Sequence, residues 1–204
     1  MQPSPSAGSG EPGLEAHEEC SAAGFIDVDP DAWYHEFVDY VVSRGLMKGT
    51  SDTAFEPEAP ATRAMLVTIL HRLEGEPGAG GASPFADVPE DRWYTDAVIW
   101  ANRNGIVEGY GDGNFGPGDT VTREQFAAIL YRYAKWKGYD VSRSADLSGY
   151  ADAAAISPWA LEAMKWANAA GLITGRTETD LVPAGKATRA ETAAILMRFL
   201  EDVE

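Results

Sequence analysis

Cysteine is nearly absent. Cys20 is the only one in 204 residues, so neither a disulfide within the chain nor a thiolate zinc site is available. Histidine is scarce too, and His17, His35 and His71 show no metal-ligand spacing, so no metal is expected. Basic residues are outnumbered: 16 Lys and Arg stand against 32 Asp and Glu, a formal net charge of −16. Nonspecific nucleic-acid binding needs a basic footprint that releases counterions, and this chain has none. An anionic membrane surface is disfavoured for the same reason. No stretch approaches the roughly 18 consecutive apolar residues of a membrane span. The opening Met1-Gln2-Pro3-Ser4-Pro5-Ser6 lacks the basic and apolar regions of a signal peptide and reads as linker, the start of a piece of a longer exported chain or of a cytosolic protein. What remains, at 45% hydrophobic and 24% charged, has the composition of a globular protein.

What is present is repetition. Phe85 opens FADVPEDRWYTDAVIWANRNGIVEGYGDGNFGPGDTVTREQFAAILYRYA, and Phe25 opens a second copy sixty residues earlier. A third copy starts at Tyr150. Asp27, Asp87 and Asp152 each follow an aromatic by two, and Trp33, Trp93 and Trp159 come next. Gly45, Gly105 and Gly171 are followed four residues later by Gly49, Gly109 and Gly175. Pro57, Pro117 and Pro183 precede Thr62-Arg63, Thr122-Arg123 and Thr188-Arg189, and the Trp-to-Arg spacing is thirty residues in every copy.

Each copy predicts helix, loop, helix. Ala97, Trp100 and Ala101 follow Trp93 at helical spacing, and Gly105 suits the left-handed position after a helix end. The second helices carry apolar stripes: Leu66, Ile69, Leu70, Leu73; Phe126, Ile129, Leu130, Tyr133; and Thr192, Ile195, Leu196, Phe199, the last with one polar lapse. A lone helix pair cannot bury such a stripe, so the copies must pack together, either as a linear stack or around a pseudo-threefold axis. The expected organisation is a loose tail over 1–24, repeats at 25–74, 85–136 and 150–203 with linkers at 75–84 and 137–149, and one cooperative all-α domain over 25–203.

The threonines read as helix N-caps, with a reciprocal capping box through Glu191 in copy three and Gln125 in copy two, and none in copy one, where Met65 stands. The arginines ask for more. Arg63, Arg123 and Arg189 fall at the first helical position, where the helix dipole disfavours a cation. Each could pair with an Asp of its own or a neighbouring copy. Alternatively, a helix N-terminus with free N–H groups plus a guanidinium fork makes a carboxylate site, with the arginine exposed in a pocket. The tryptophans read first as core residues and second as apolar platforms for a sugar. The glycines read as backbone geometry that also admits a ligand to main-chain N–H groups. Asp112, Asn114 and Asp119 lack the order of a calcium loop, GYGDG lacks the surroundings of a phosphate loop, and no nucleophile–base set recurs. No cofactor and no catalytic activity are expected.

The FxDV…W opening, the G-apolar-apolar-x-G-Y-x-D-G-x-F-x-P loop and the TRAE or TREQ helix start resemble the S-layer homology family, in three tandem copies over about 25–203. The resemblance implies a pseudo-trimeric, spindle-like helical unit with grooves between repeats. It implies an extracellular module that tethers exported proteins to the bacterial wall or surface layer by binding an anionic secondary wall polysaccharide bearing a pyruvate ketal. By motif, Arg63, Arg123 and Arg189 would hold the ketal carboxylate. Trp33, Trp93 and Trp159 would line the grooves, and Gly49, Gly109, Gly175 and the neighbouring Asp27, Asp87 and Asp152 would complete them. The second role such repeats suggest is lattice or protein–protein contact with other surface-layer subunits. Copy two, with Tyr110-Gly111-Asp112-Gly113, keeps the loop pattern; Thr50-Ser51-Asp52-Thr53 and Arg176-Thr177-Glu178-Thr179 depart from it.

Overall fold

A computed structural model describes residues 20–203. Its α-helices pair off by repeat: α1 (His35–Ser43) and α2 (Arg63–Leu73), α3 (Thr95–Arg103) and α4 (Arg123–Lys137), α5 (Leu161–Ala169) and α6 (Arg189–Asp202). Among the described residues the only β pairing is a set of isolated bridges.

The second helix of each repeat starts as its sequence dictates. Thr62, Thr122 and Thr188 are extended N-caps whose hydroxyls accept from the N–H of Met65, Gln125 and Glu191. Both capping boxes form, through Gln125 and Glu191. The stripes are buried, and the polar lapse resolves itself: Thr192, fully buried, donates its hydroxyl to the Thr188 carbonyl at 2.8 Å. Each first helix is followed by a glycine in the left-handed region, Gly45, Gly105 and Gly171 at φ near +70° (68°, 69° and 71°).

The tryptophans depart from the core reading. Trp33 and Trp93 lie two residues ahead of α1 and α3, in turns, and Trp159 lies in the 3-10 turn Pro158–Ala160 ahead of α5. None falls on a helical stripe, so none is drawn inward, and all three are more than half exposed, at 59%, 61% and 55%.

The packing order closes the chain on itself. α3 packs on α2, α5 on α4, and α1 on α6, so each first helix lies against the second helix of the preceding repeat. The segments just before the second helices meet around the resulting axis. The Ala61 N–H donates to Ala187 C=O at 2.9 Å, Ala187 N–H to Val121 C=O at 3.0 Å, and Val121 N–H to Ala61 C=O at 2.9 Å. This three-membered ring of hydrogen bonds selects the pseudo-threefold arrangement over a linear stack. The core follows the same logic. One cluster joins Leu66 and Leu70 of α2, Phe126 and Leu130 of α4, Trp166 of α5 and Phe199 of α6, and a smaller one joins Val38 and Val41 of α1 with Ile69, Ala193 and Leu196.

Residues 20–24 differ from the loose tail that composition suggests. They form a 3-10 turn over Ser21–Gly24, Ala22 is fully buried, and its N–H donates to Asp39 Oδ1 at 3.0 Å. A small residue here fills a gap against α1, which outweighs the polar character of its surroundings. The rest of that segment, 1–19, lies outside the described residues.

Candidate functional site: three grooves built from all three repeats

The aspartates come first, because they shape the loops. Asp27 accepts from the N–H of Phe55 and Glu56 at 2.8 and 2.7 Å. Asp87 does the same with Phe115 and Gly116, and Asp152 with Leu181 and Val182, at the same distances. The second residue of each pair, Glu56, Gly116 or Val182, takes a positive φ. The carboxylate thus pins a turn that Glu and especially β-branched Val resist. Burial alone would raise the Asp27 carboxyl, but the two backbone donors outweigh it and hold the group below its ordinary value. All three aspartates, expected in the ligand set, are spent on the loop of their own repeat.

The turns present a carbonyl row to the second helix of the preceding repeat, counted around the ring. The N–H groups of Arg63 and Ala64 donate to Asp119 and Pro117, those of Arg123 and Glu124 to Gly185 and Pro183, and those of Arg189 and Ala190 to Ala59 and Pro57, at 2.9–3.2 Å. With the third N–H taken by the threonine, the helix starts have no free donors there. The expected anion site at the bare helix N-termini is therefore absent: packing between repeats has consumed it.

The arginines follow the same cyclic rule. Arg63 donates Nε to Phe115 C=O at 2.9 Å and Nη2 to Glu108 C=O at 3.1 Å. Arg189 donates Nε to Phe55 and Nη2 to Lys48, both at 2.7 Å. Arg123 donates Nε to Leu181 at 2.9 Å and Nη2 to Thr174. Each residue is only 5% exposed, where an open pocket residue had been expected. Each partner is a backbone carbonyl of the next repeat, where an aspartate had been expected. The Phe115 peptide is held from both ends, its N–H by Asp87 and its C=O by Arg63. Phe55 stands likewise between Asp27 and Arg189, and Leu181 between Asp152 and Arg123.

In Arg123 and Arg189 the third guanidinium nitrogen meets a side chain of the groove. Arg123 Nη1 stands 3.7 Å from Glu191 Oε1, and Arg189 Nη1 stands 3.9 Å from Met65 Sδ. These acceptors occupy the third position of the following second helix, where the Arg63 groove has Gln125. Every groove draws on three repeats: an arginine from one, the glycine loop and second helix of the next, and the tryptophan of the one after. The Arg63 groove, of about 370 Å³, is lined by Gly109, Tyr110, Gln125, Arg132 and Trp159. The Arg123 groove, of about 230 Å³, has Gly175, Arg176, Glu191, Arg198 and Trp33. The Arg189 groove, of about 160 Å³, has Lys48, Met65, Thr68, Arg72 and Trp93. The loop of copy two, nearest to the motif, thus serves Arg63 and not its own Arg123.

The grooves differ in charge and chemistry. In the Arg63 groove the guanidinium lies 4.8 Å from the Tyr110 ring centre, and the Tyr110 hydroxyl donates to Asp119 Oδ2 at 2.9 Å. In the Arg123 groove Glu191 already occupies the arginines. Arg176 binds it from Nε and Nη2 at 2.8–3.0 Å. Burial would raise the Glu191 carboxyl, but Arg176, the Thr188 N–H and Arg123 together hold it below its ordinary value. The Arg189 groove has no carboxylate among these residues, and the buried Thr68 hydroxyl on its wall has no hydrogen-bond partner in the described structure.

A second arginine in each groove, Arg72, Arg132 or Arg198, was missed by the motif reading. Each stands nine residues after the helix-start arginine of its own copy, which faces a different groove, so the signal was present in the repeat alignment. Of the motif glycines, Gly109 and Gly175 line grooves. Their first requirement is internal: a Cβ would stand 2.7 Å from the Phe85 ring and 2.8 Å from the Tyr150 ring. Gly49 is closed on by Phe25 in the same way. Among the described residues no cluster of His, Cys, Asp and Glu could hold a metal ion, and no helix is long and apolar enough to cross a membrane.

The three helix pairs close into a ring with a groove at each junction. The chain matches the S-layer homology domain over residues 24–64, 84–127 and 149–193, and it belongs to that family. It is 34% identical over 189 residues to a surface-layer 125 kDa protein of Lysinibacillus sphaericus, covering 90% of this chain and 16% of that protein. It is 32% identical over 171 residues to an amylopullulanase of Thermoanaerobacterium thermosulfurigenes, covering 84% of this chain and 9% of that one. A cellulosome-anchoring protein of Acetivibrio thermocellus is 28% identical over 165 residues, 76% of this chain and 35% of the relative. The chain therefore spans a minor part of these relatives, and the likeness to an enzyme is confined to a small share of it.

Proposed function

We propose that the chain is a non-catalytic module that holds a larger protein at the bacterial cell surface by binding an anionic wall polysaccharide, with a pyruvate ketal as the recognised group. Relatives named for surface layers and for cellulosome anchoring share this segment and differ in what is joined to it, which supports an anchoring role for the shared part. The observation that carries the ligand reading is the Arg63 groove. There, the buried Arg63, the half-buried Arg132, an exposed tryptophan and a tyrosine converge beside a glycine loop, in a protein that is otherwise strongly acidic. Arg63 is aimed by two carbonyls, and Arg132 is the less buried partner, a third exposed and 3.6 Å from Glu108. Together they offer a carboxylate fixed donors in a partly dry site. Trp159 supplies an apolar face for the sugar ring.

The test is isothermal titration of the purified chain with a pyruvylated wall fragment and with the same fragment after removal of the ketal. Binding should require the ketal. Arg132→Ala should weaken it by about 1.5–3 kcal/mol, the value of a hydrogen bond to a charged group, with an unchanged melting temperature. Equal binding of both fragments would refute the carboxylate reading, and binding of neither would favour contacts among surface-layer subunits.

A further inference from the structure

The Arg63 groove does not end at Trp159. A second cavity, of about 470 Å³, continues from it and shares Ala128, Arg132 and Trp159 as walls. Its far side is made by Tyr131, Lys135 and Trp136 of α4, with Asn104 and Glu162 at its edges. Trp136 is 40% exposed, braced edge-on against buried Trp100 at 5.5 Å between ring centres. Tyr131 is fixed by its hydroxyl, which donates to Glu162 at 2.6 Å, and Lys135 Nζ lies 5.3 Å from its ring centre. Two exposed indoles, Trp159 and Trp136, thus stand on a path leading away from the anion-binding arginines, with amide, ammonium and carboxylate groups beside them.

Only one of the three repeats has this feature. The positions matching Lys135 and Trp136 are Gly75 and Glu76 in copy one and Glu201 and Asp202 in copy three. α2, of eleven residues, stops short of these positions; α6, of fourteen, reaches them but with acidic side chains, and only the last turn of the fifteen-residue α4 carries an indole and an ammonium there. An acidic or absent side chain at the other two junctions offers no apolar face and repels an anionic polymer.

We infer that this cavity is a second subsite, which takes the sugar units adjoining the charged one in the same polysaccharide chain. The proposal rests on the Arg63 groove being the site of the ketal. The mixture of indole faces with Asn, Lys and Glu suits neutral sugar rings, whose C–H faces stack on aromatics while hydroxyls take the polar groups. Simultaneous engagement of both subsites by one chain adds affinity without a second encounter. The Arg63 junction is then the principal contact with the polymer, and the other two are short sites for single charged units.

The experiment compares the methyl glycoside of a pyruvylated hexose with di- and trisaccharides extended from it, by titration against three proteins. These are the unaltered chain, Trp136→Ala, and Lys135→Glu, which copies the residue found at that place in the third repeat. Trp136 braces Trp100, so a melt accompanies each titration; Lys135 is exposed and gives an independent reading. The unaltered chain should gain about tenfold in affinity from mono- to trisaccharide. Trp136→Ala should lose that gain with monosaccharide affinity held, and Lys135→Glu should lose most of it. The same length dependence in all three proteins, or none in the unaltered chain, overturns the second subsite and leaves the Arg63 reading intact. No binding of the monosaccharide overturns both.

Discussion

Arg63, Arg123 and Arg189 carry two tasks that compete for one guanidinium. Nε and Nη2 bind carbonyls of the neighbouring repeat while the side chain also lines a groove, with Nη1 of Arg123 and Arg189 beside Glu191 and Met65. Truncation therefore injures the fold as well as any binding. Arg63→Ala leaves the Phe115 and Glu108 carbonyls without donors, and a melt or urea titration should show a loss of about 1.5–3 kcal/mol. Arg63→Lys should recover only part, because an ammonium cannot span both carbonyls from one plane. A stable Arg63→Ala protein would mean that the bracing is dispensable. Glu191 makes a pH prediction. Its carboxyl is held below the ordinary 4.5, so its ion pairs stabilise the fold fully above that pH. That contribution is lost as pH falls through the lower folded value. Glu191→Gln, which keeps the capping geometry that Gln125 shows, should flatten the acid limb of stability below about pH 4.5. An unchanged acid limb would show that other carboxylates govern it.

At the scale of the helix, the caps and stripes were legible because they are local: a threonine, a residue three further on, and a 3.6-residue period decide them. Met65 breaks the box of α2 and is half-buried on the wall of the Arg189 groove. Met65→Glu should complete the box and set a carboxylate beside Arg189, as Glu191 sits beside Arg123. A stability change between neutral and about +1 kcal/mol is expected in a thermal melt. Loss of several kcal/mol would show that the methionine's packing outweighs the cap. The core reading of the tryptophans failed on this scale, since a helix start two residues later moves each ring off the stripe and into a groove. The extended α4 is a helix-scale difference as well. Its last turn carries Lys135 and Trp136 where the last turn of α6 carries Glu201 and Asp202, and that separates one junction from the other two.

At the scale of the whole molecule the repeat pattern left a linear stack and a closed ring both open, and only the family resemblance implied the ring. Repeat spacing reveals three copies but not that the arginine of one, the loop of the next and the tryptophan of the third share a groove, because those contacts lie 45–141 residues apart along the chain. Cyclic closure also bears on cooperativity. α1 packs on α6, and the axial hydrogen-bond ring needs Ala61, Val121 and Ala187 together. Deleting 150–204 removes one side of that ring and exposes the stripe of α4. The remainder should lose its cooperative melt, and residues 25–140 melting at the temperature of the full chain would refute a shared core.

The central claim is that an anionic sugar enters a junction between repeats and meets the arginine of one copy and the tryptophan of another. A crystal of the chain soaked with a pyruvylated hexose tests it most directly. The account predicts the ketal carboxylate beside Arg63 and Arg132, with the sugar ring against Trp159 and the Gly109–Tyr110 loop. Sugar bound within a single repeat, or at a surface lacking these arginines, would contradict it.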